Sequence, residues 1–77
     1  MSKILERYIN INGDDILVVS DYNDTVIHYK NRKLHRENGP AVIYKNPKYK
    51  EYWYEGKKTD CNSQEDFERI INLQLFW

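Results

Sequence analysis

The chain has 77 residues, 40% of them hydrophobic, and its 12 Lys and Arg balance 12 Asp and Glu. That length makes one domain, and the balance by itself favours neither a nucleic acid nor a membrane surface as partner. A domain this small hides only about 60–65% of the surface its unfolded form exposes. Its one cysteine, Cys61, excludes an internal disulfide, and with two histidines it makes no zinc pattern. Stability is left to aromatic burial, with seven tyrosines supplying most of the contact area, or to a partner or second copy.

The charges are not evenly spread. Residues 1–27 hold two basic and five acidic groups, residues 28–50 seven and one, and residues 51–77 three and six. A basic middle lies between acidic flanks. It either neutralises neighbouring strands or forms a patch for an acidic partner. No secretory hydrophobic region and no apolar run of bilayer length is present. With the free thiol, this leads to the expectation of an intracellular, cytoplasmic protein.

Residues 3–11 carry Ile4, Leu5, Tyr8, Ile9 and Ile11, which fit a helical stripe loosely and a strand at 4–11 better. Asn12-Gly13 is a turn signal, because both residues tolerate positive φ. Ile16 to Val19 is a β-branched run between Asp-rich turns and reads as a strand, as does Val26 to Tyr29. Lys30 to Pro40 reads as a long polar link. Ala41 to Tyr44 is a strand, Asn46-Pro47 a turn, and Glu51 to Glu55 the return strand, ended by Gly56. Ser63 followed by Asp66 marks a helix start, and Phe67, Ile70 and Ile71 fall on one face of a helix over 64–73. Leu73, Leu75, Phe76 and Trp77 form an apolar tail, fit either to close a core or to join two copies.

A shift of 25 positions lays the chain's middle on itself: Ala41–Tyr44 falls on Ile16–Val19, Tyr52-Trp53-Tyr54 on Ile27-His28-Tyr29, and Gly56 on Asn31. Two hairpins of one type are the simplest account. This arrangement divides the domain into a strand and degenerate hairpin at 4–31, a second hairpin at 32–57, and a helix and tail at 63–77.

The stretch Leu34-His35-Arg36-Glu37-Asn38-Gly39-Pro40-Ala41, followed by Trp53-Tyr54 and Gly56, resembles the short MORN-like repeats of phage, giant-virus and bacterial proteins. Those have a Leu-His-Arg-x-x-Gly-Pro-Ala head and a Trp-Tyr tail ending in Gly. The likeness is specific over 34–57 and weak over 14–33. It departs at Lys58-Thr59-Asp60, where another head would follow, and at Asp14-Asp15-Ile16, where Gly-Pro-Ala is missing; both suit terminal copies. The resemblance implies one hairpin per repeat in a twisted antiparallel sheet, no catalytic activity, and a phage or viral setting. Small proteins of such origin include inhibitors of host enzymes or defence complexes, anti-CRISPR proteins among them.

Little here points to catalysis. A Cys61–histidine pair would need groups that nothing in the sequence brings together. His35 is better read as a structural hydrogen bonder. Asp14, Asp15, Asp21 and Asp24 lack calcium-loop spacing and read as turn residues. No glycine loop for phosphate is present, and no cofactor is expected.

The expected fold is α+β: a four- to five-stranded antiparallel meander of two hairpin repeats with one C-terminal helix. By strand alternation, Tyr52 and Tyr54 would share a core face with Ile27 and Tyr29, leaving Trp53 and His28 on the other, more polar face. The expected partner-binding residues are Trp53, His28, Lys30, Arg32, Lys33, Arg36, Lys45, Lys48, Lys50 and Tyr49, facing an acidic or nucleic-acid-binding protein. Binding of single-stranded nucleic acid or RNA through the same basic-aromatic strip is the alternative. A structural oligomerising module, dimeric through the apolar tail, is a third.

Overall fold

The computed structural model describes residues 2–61 and 63–73. Its elements are β1 (Lys3–Ile9), β2 (Asp15–Ser20), β3 (Val26–Lys30), β4 (Lys33–Leu34), β5 (Val42–Ile43), β6 (Lys50–Tyr54), β7 (Lys57–Thr59) and α1 (Gln64–Leu73). The fold is α+β. The strands form one antiparallel sheet in the order β1-β2-β3-β5-β6-β7, with β4 beside the end of β3. Among the described residues seven strands stand where four or five were expected. The two additional ones, β4 and β7, are two and three residues long, lysine-bearing, and without apolar alternation.

Each hairpin unit is a strand, a loop, a five-residue strand, a two-residue turn and a short returning strand. The tight turns are Asn31-Arg32 and Glu55-Gly56, with φ of 51° and 67° in the first and 50° and 81° in the second. Two successive positive φ values make type I′ turns, whose twist matches that of the flanking strands. Asn31 fixes the first turn. Its side-chain Oδ1 accepts from the Asp15 amide at 3.0 Å and its Nδ2 donates to Asp14 Oδ1 at 2.9 Å.

The longer loops are closed by Asx side chains. Asn10 Oδ1 accepts from the Asn12 and Asp14 amides, Asp21 Oδ1 from Asn23 and Thr25, and Asn46 Oδ1 from Lys48.

The repeat register differs from the expected shift of 25. The loop between β2 and β3 is closed by Asp21 and Thr25, and that between β5 and β6 by Tyr44 and Tyr49. The offset is therefore 23 on entering the loop (Asp21 to Tyr44) and 24 on leaving it (Thr25 to Tyr49). A one-residue change exchanges the faces of a strand. Val19, Ile27, Val42 and Glu51 form one cross-strand row, and Ser20, Val26, Ile43 and Lys50 the next. Ile27 and Tyr29 thus lie on the face of Trp53, while His28 and Lys30 lie on the face of Tyr52 and Tyr54. The expected grouping of Tyr52 with Ile27 is reversed.

The molecule is a slab of 36 × 32 × 16 Å. Among the described residues the buried apolar ones are Ala41, Val42, Tyr52 and Phe67. The helix starts at Ser63, whose Oγ accepts from the Asp66 amide at 3.2 Å, with Glu65 and Asp66 in its first turn. It docks through Phe67, whose ring centroid is 5.0 Å from that of Tyr52. Residues 74–77, with most of the apolar tail, lie outside the described residues, and Leu73 is 60% exposed. No helix among the described residues is long and apolar enough to cross a membrane.

Candidate functional site

The functional residues expected from sequence do not form one strip. β3 runs from Val26 to Lys30, and its five residues span about 13 Å. Arg32 and Lys33 lie beyond its Lys30 end. Lys45, Lys48 and Tyr49 lie in the loop beyond its Val26 end, because Ile43 is paired with Val26. Lys50 begins β6 at that same end, with Ile43 as its partner. Lys30 and Arg36 stand apart again, lining a groove on the Tyr52 face with His28.

Trp53 is half-buried and fixed. Its Nε1 donates to Glu51 Oε1 at 2.9 Å, while Tyr44 Oη donates to Glu51 Oε2 at 2.9 Å and Lys58 Nζ lies 3.6 Å from it. These bonds, that of Trp53 first, hold the Glu51 carboxyl below its usual range, and the carboxylate holds the Tyr44 phenol above its own. Around Trp53 on the same face are Leu17, Val19, Ile27 and Tyr29, all half-exposed, and the buried Val42. The helix does not cover this face, since Phe67 packs on Tyr52, which points the other way in β6.

At the loop end, Tyr44, Lys48, Tyr49, Lys50 and Lys58 line a cleft of about 330 Å³. Tyr49 is 60% exposed, and Lys45 Nζ lies 3.8 Å from Asp24.

On the opposite face, a groove of about 580 Å³ runs between β1 and residues 35–38. Its floor is two cross-strand rows, Glu6–Val18–His28 and Tyr8–Ile16–Lys30. Lys30 Nζ is 2.7 Å from Glu55 Oε1 and 3.9 Å from Asp14. The hydrogen bond raises the Lys30 pKa and lowers that of Glu55. His28 is half-buried, with Nδ1 3.3 Å from the Ala41 carbonyl. Burial, then the charge of Arg36, holds its pKa below the usual histidine value.

The wall at 35–38 is pinned by His35, which is 6% exposed. Its Nδ1 accepts from the Glu55 amide at 3.0 Å, so the ring carries its proton on Nε2, which reaches Glu37 Oε2 at 3.3 Å. The 3.6 Å approach of Nδ1 to Glu55 Oε1 is then no ion pair. The ring also lies 4.8 Å from Tyr54. Two bonds complete the wall: the Arg36 amide donates to the Trp53 carbonyl at 3.2 Å, and Gln64 Nε2 to the Glu37 carbonyl at 2.9 Å.

Cys61 is far from a nucleophilic arrangement. Its Sγ is 3.2 Å from Thr59 Oγ1, and burial pushes its pKa up, which lowers the thiolate fraction. Sequence reasoning missed Glu55, which neutralises Lys30, Glu6, which shares a cross-strand row with Val18 and His28, and Glu51, which fixes Trp53. The alternation of Glu51 with Trp53 was the available signal for one of them.

No protein-family model, curated protein or solved structure matches this chain.

Proposed function

We propose that this chain is a small non-enzymatic protein-binding module that docks through the Trp53 face of its sheet. One observation carries this reading. A domain normally buries each apolar sheet face under a second layer, yet the helix lies on the other face. Leu17, Val19, Ile27, Tyr29 and Trp53 remain half-exposed in contiguous rows. A tryptophan held rigid by Glu51 is well suited to anchor an interface. Lys45, Lys48 and Lys50 give the adjoining end a basic character, which favours a partner that is apolar at its centre and acidic at one edge. The narrower reading, a phage-encoded inhibitor of a host enzyme or defence complex, rests on the repeat resemblance.

The test is capture from lysate by wild type beside Trp53→Ala, followed by titration of the purified partner. Retention by wild type and at least about a tenfold loss with Trp53→Ala is expected for an interface anchor. Equal capture by both overturns the reading. Light scattering over a range of concentrations separates this module from a self-assembling one.

A second reading has its own observation: Lys48, Lys50, Lys58 and the exposed Tyr49 meet in one cleft. Lysines beside an exposed ring suit single-stranded nucleic acid. Oligonucleotide binding that falls steeply with salt and is weakened by Lys48→Glu supports it, and no binding at low salt rejects it.

A further inference from the structure

We propose that the groove between β1 and residues 35–38 is a binding site for a monoanionic carboxylate carried on an apolar body, with the Arg36 guanidinium as its anchor. The site lies on the face opposite Trp53 and does not depend on the protein-binding reading.

The groove, at about 580 Å³, is of the size that encloses small ligands. Arg36 is the group in it left without a counter-ion. Its Nη1 donates to the Pro40 carbonyl at 3.3 Å, and no carboxylate among the described residues lies within ion-pair distance. Its position is imposed by the fold. A Cβ built on Gly39 would stand 2.9 Å from Arg36 Cζ and Nη1, so the fork lies against a glycine that leaves room for it. The bonds of His35 and Gln64 hold the surrounding wall before any ligand arrives, which lowers the cost of binding.

His28 lines the same groove; its Nδ1 faces the Ala41 carbonyl and so carries the proton of the neutral ring, leaving Nε2 a lone pair that can meet an anion only once it is protonated. The planar fork matches a carboxylate in two parallel bonds. Glu6, Asp14 and Glu37, which also line the groove, disfavour a dianion such as phosphate. Val18, Ile16 and Tyr8 supply the apolar part of an otherwise mostly polar lining for the rest of the ligand. The carboxylate could come from a free small acid or from an acidic side chain of a peptide, and the experiment separates them.

The test is a ¹H–¹⁵N titration of the full chain with N-acetyl-leucine, with acetyl-Leu-Glu-Leu-amide, and with inorganic phosphate. Shifts confined to Val18, His28, Arg36 and their neighbours are expected with one or both carboxylates, and the tighter of the two identifies the source. The neutral amide of N-acetyl-leucine should bind at least about tenfold more weakly. Gly39→Ala, which displaces the fork without removing its charge, should weaken binding similarly, and Trp53→Ala should leave it unchanged. Equal binding by the amide, equal or tighter binding by phosphate, or no shifts with millimolar carboxylate overturns the proposal. Comparing amide with acid on the wild type keeps the test decisive even if a variant fails to fold.

Discussion

The Lys30 ammonium lies 2.7 Å from the Glu55 carboxylate, joining two residues 25 apart in sequence, one from each hairpin unit. Lys30 is the last β3 residue before the first tight turn and Glu55 is the first residue of the second, so the contact ties the two units at their turn ends. Side-chain exposure of 21% and 40% limits its strength through solvent screening. A double-mutant cycle on Lys30→Met and Glu55→Gln should give a coupling of about 0.5–1 kcal/mol, measured by urea unfolding. The coupling should shrink with added salt. Because the Glu55 pKa is lowered in the fold, this contribution is present above the unfolded carboxyl value and lost as pH falls through the folded one.

Arg32 occupies the second position of the first type I′ turn at φ 67°, where the second unit has Gly56 at φ 81°. A side chain there is strained. Arg32→Gly should stabilise the protein by about 0.5–1 kcal/mol, raising Tm by several degrees in a scanning calorimetry experiment. Gly56→Ala should do the reverse by a similar amount. If Arg32→Gly lowers Tm, the guanidinium makes a contribution larger than the strain.

His28 has a depressed pKa, caused first by burial and then by Arg36. A histidine held neutral in the fold takes up its proton more readily when unfolded. Its contribution to stability is therefore complete above the unfolded value of about 6.5 and lost as pH falls toward the lower folded value. Unfolding free energy should decline between pH 7 and 5. His28→Gln, which cannot titrate, should flatten that decline, as read from urea midpoints across the range.

Phe67 is fully buried and is the residue through which the helix meets Tyr52. Phe67→Ala should cost about 3–5 kcal/mol, a large part of the stability of so small a domain. The helical signal at 222 nm should fall at lower urea than in wild type. A cost under about 1 kcal/mol would show that the helix is not docked as described.

The parts of this fold that were legible in the sequence are those with strong local signals. The Ser63 cap and the spacing of Phe67, Ile70 and Ile71 specify α1, and the β-branched runs specify β2 and β3. β4 and β7 escaped because Lys33-Leu34 and Lys57-Lys58-Thr59 have no alternation to read. Their turns use Asn-Arg and Glu-Gly rather than the usual Asn-Gly. The register error has the same origin. A single offset through the apolar runs conceals a loop that is one residue longer in the second unit, and a single residue is enough to exchange faces. The groove was illegible because its walls come from β1 and the 35–38 segment, and only the fold brings Glu6 and Arg36 to opposite sides of one floor.

β7 ends the sheet as a three-residue rung after a type I′ turn, much as β4 follows the turn before it. Beside β4 the chain goes on to lay down another unit; after β7 it turns into helix. The architecture is thus modular in the way a tiled strip is. A further 24-residue tile inserted ahead of Lys57 would meet the same kinds of neighbour as the existing ones. The width of the ribbon is decided by where the terminal helix interrupts the pattern, not by any closure of the sheet upon itself.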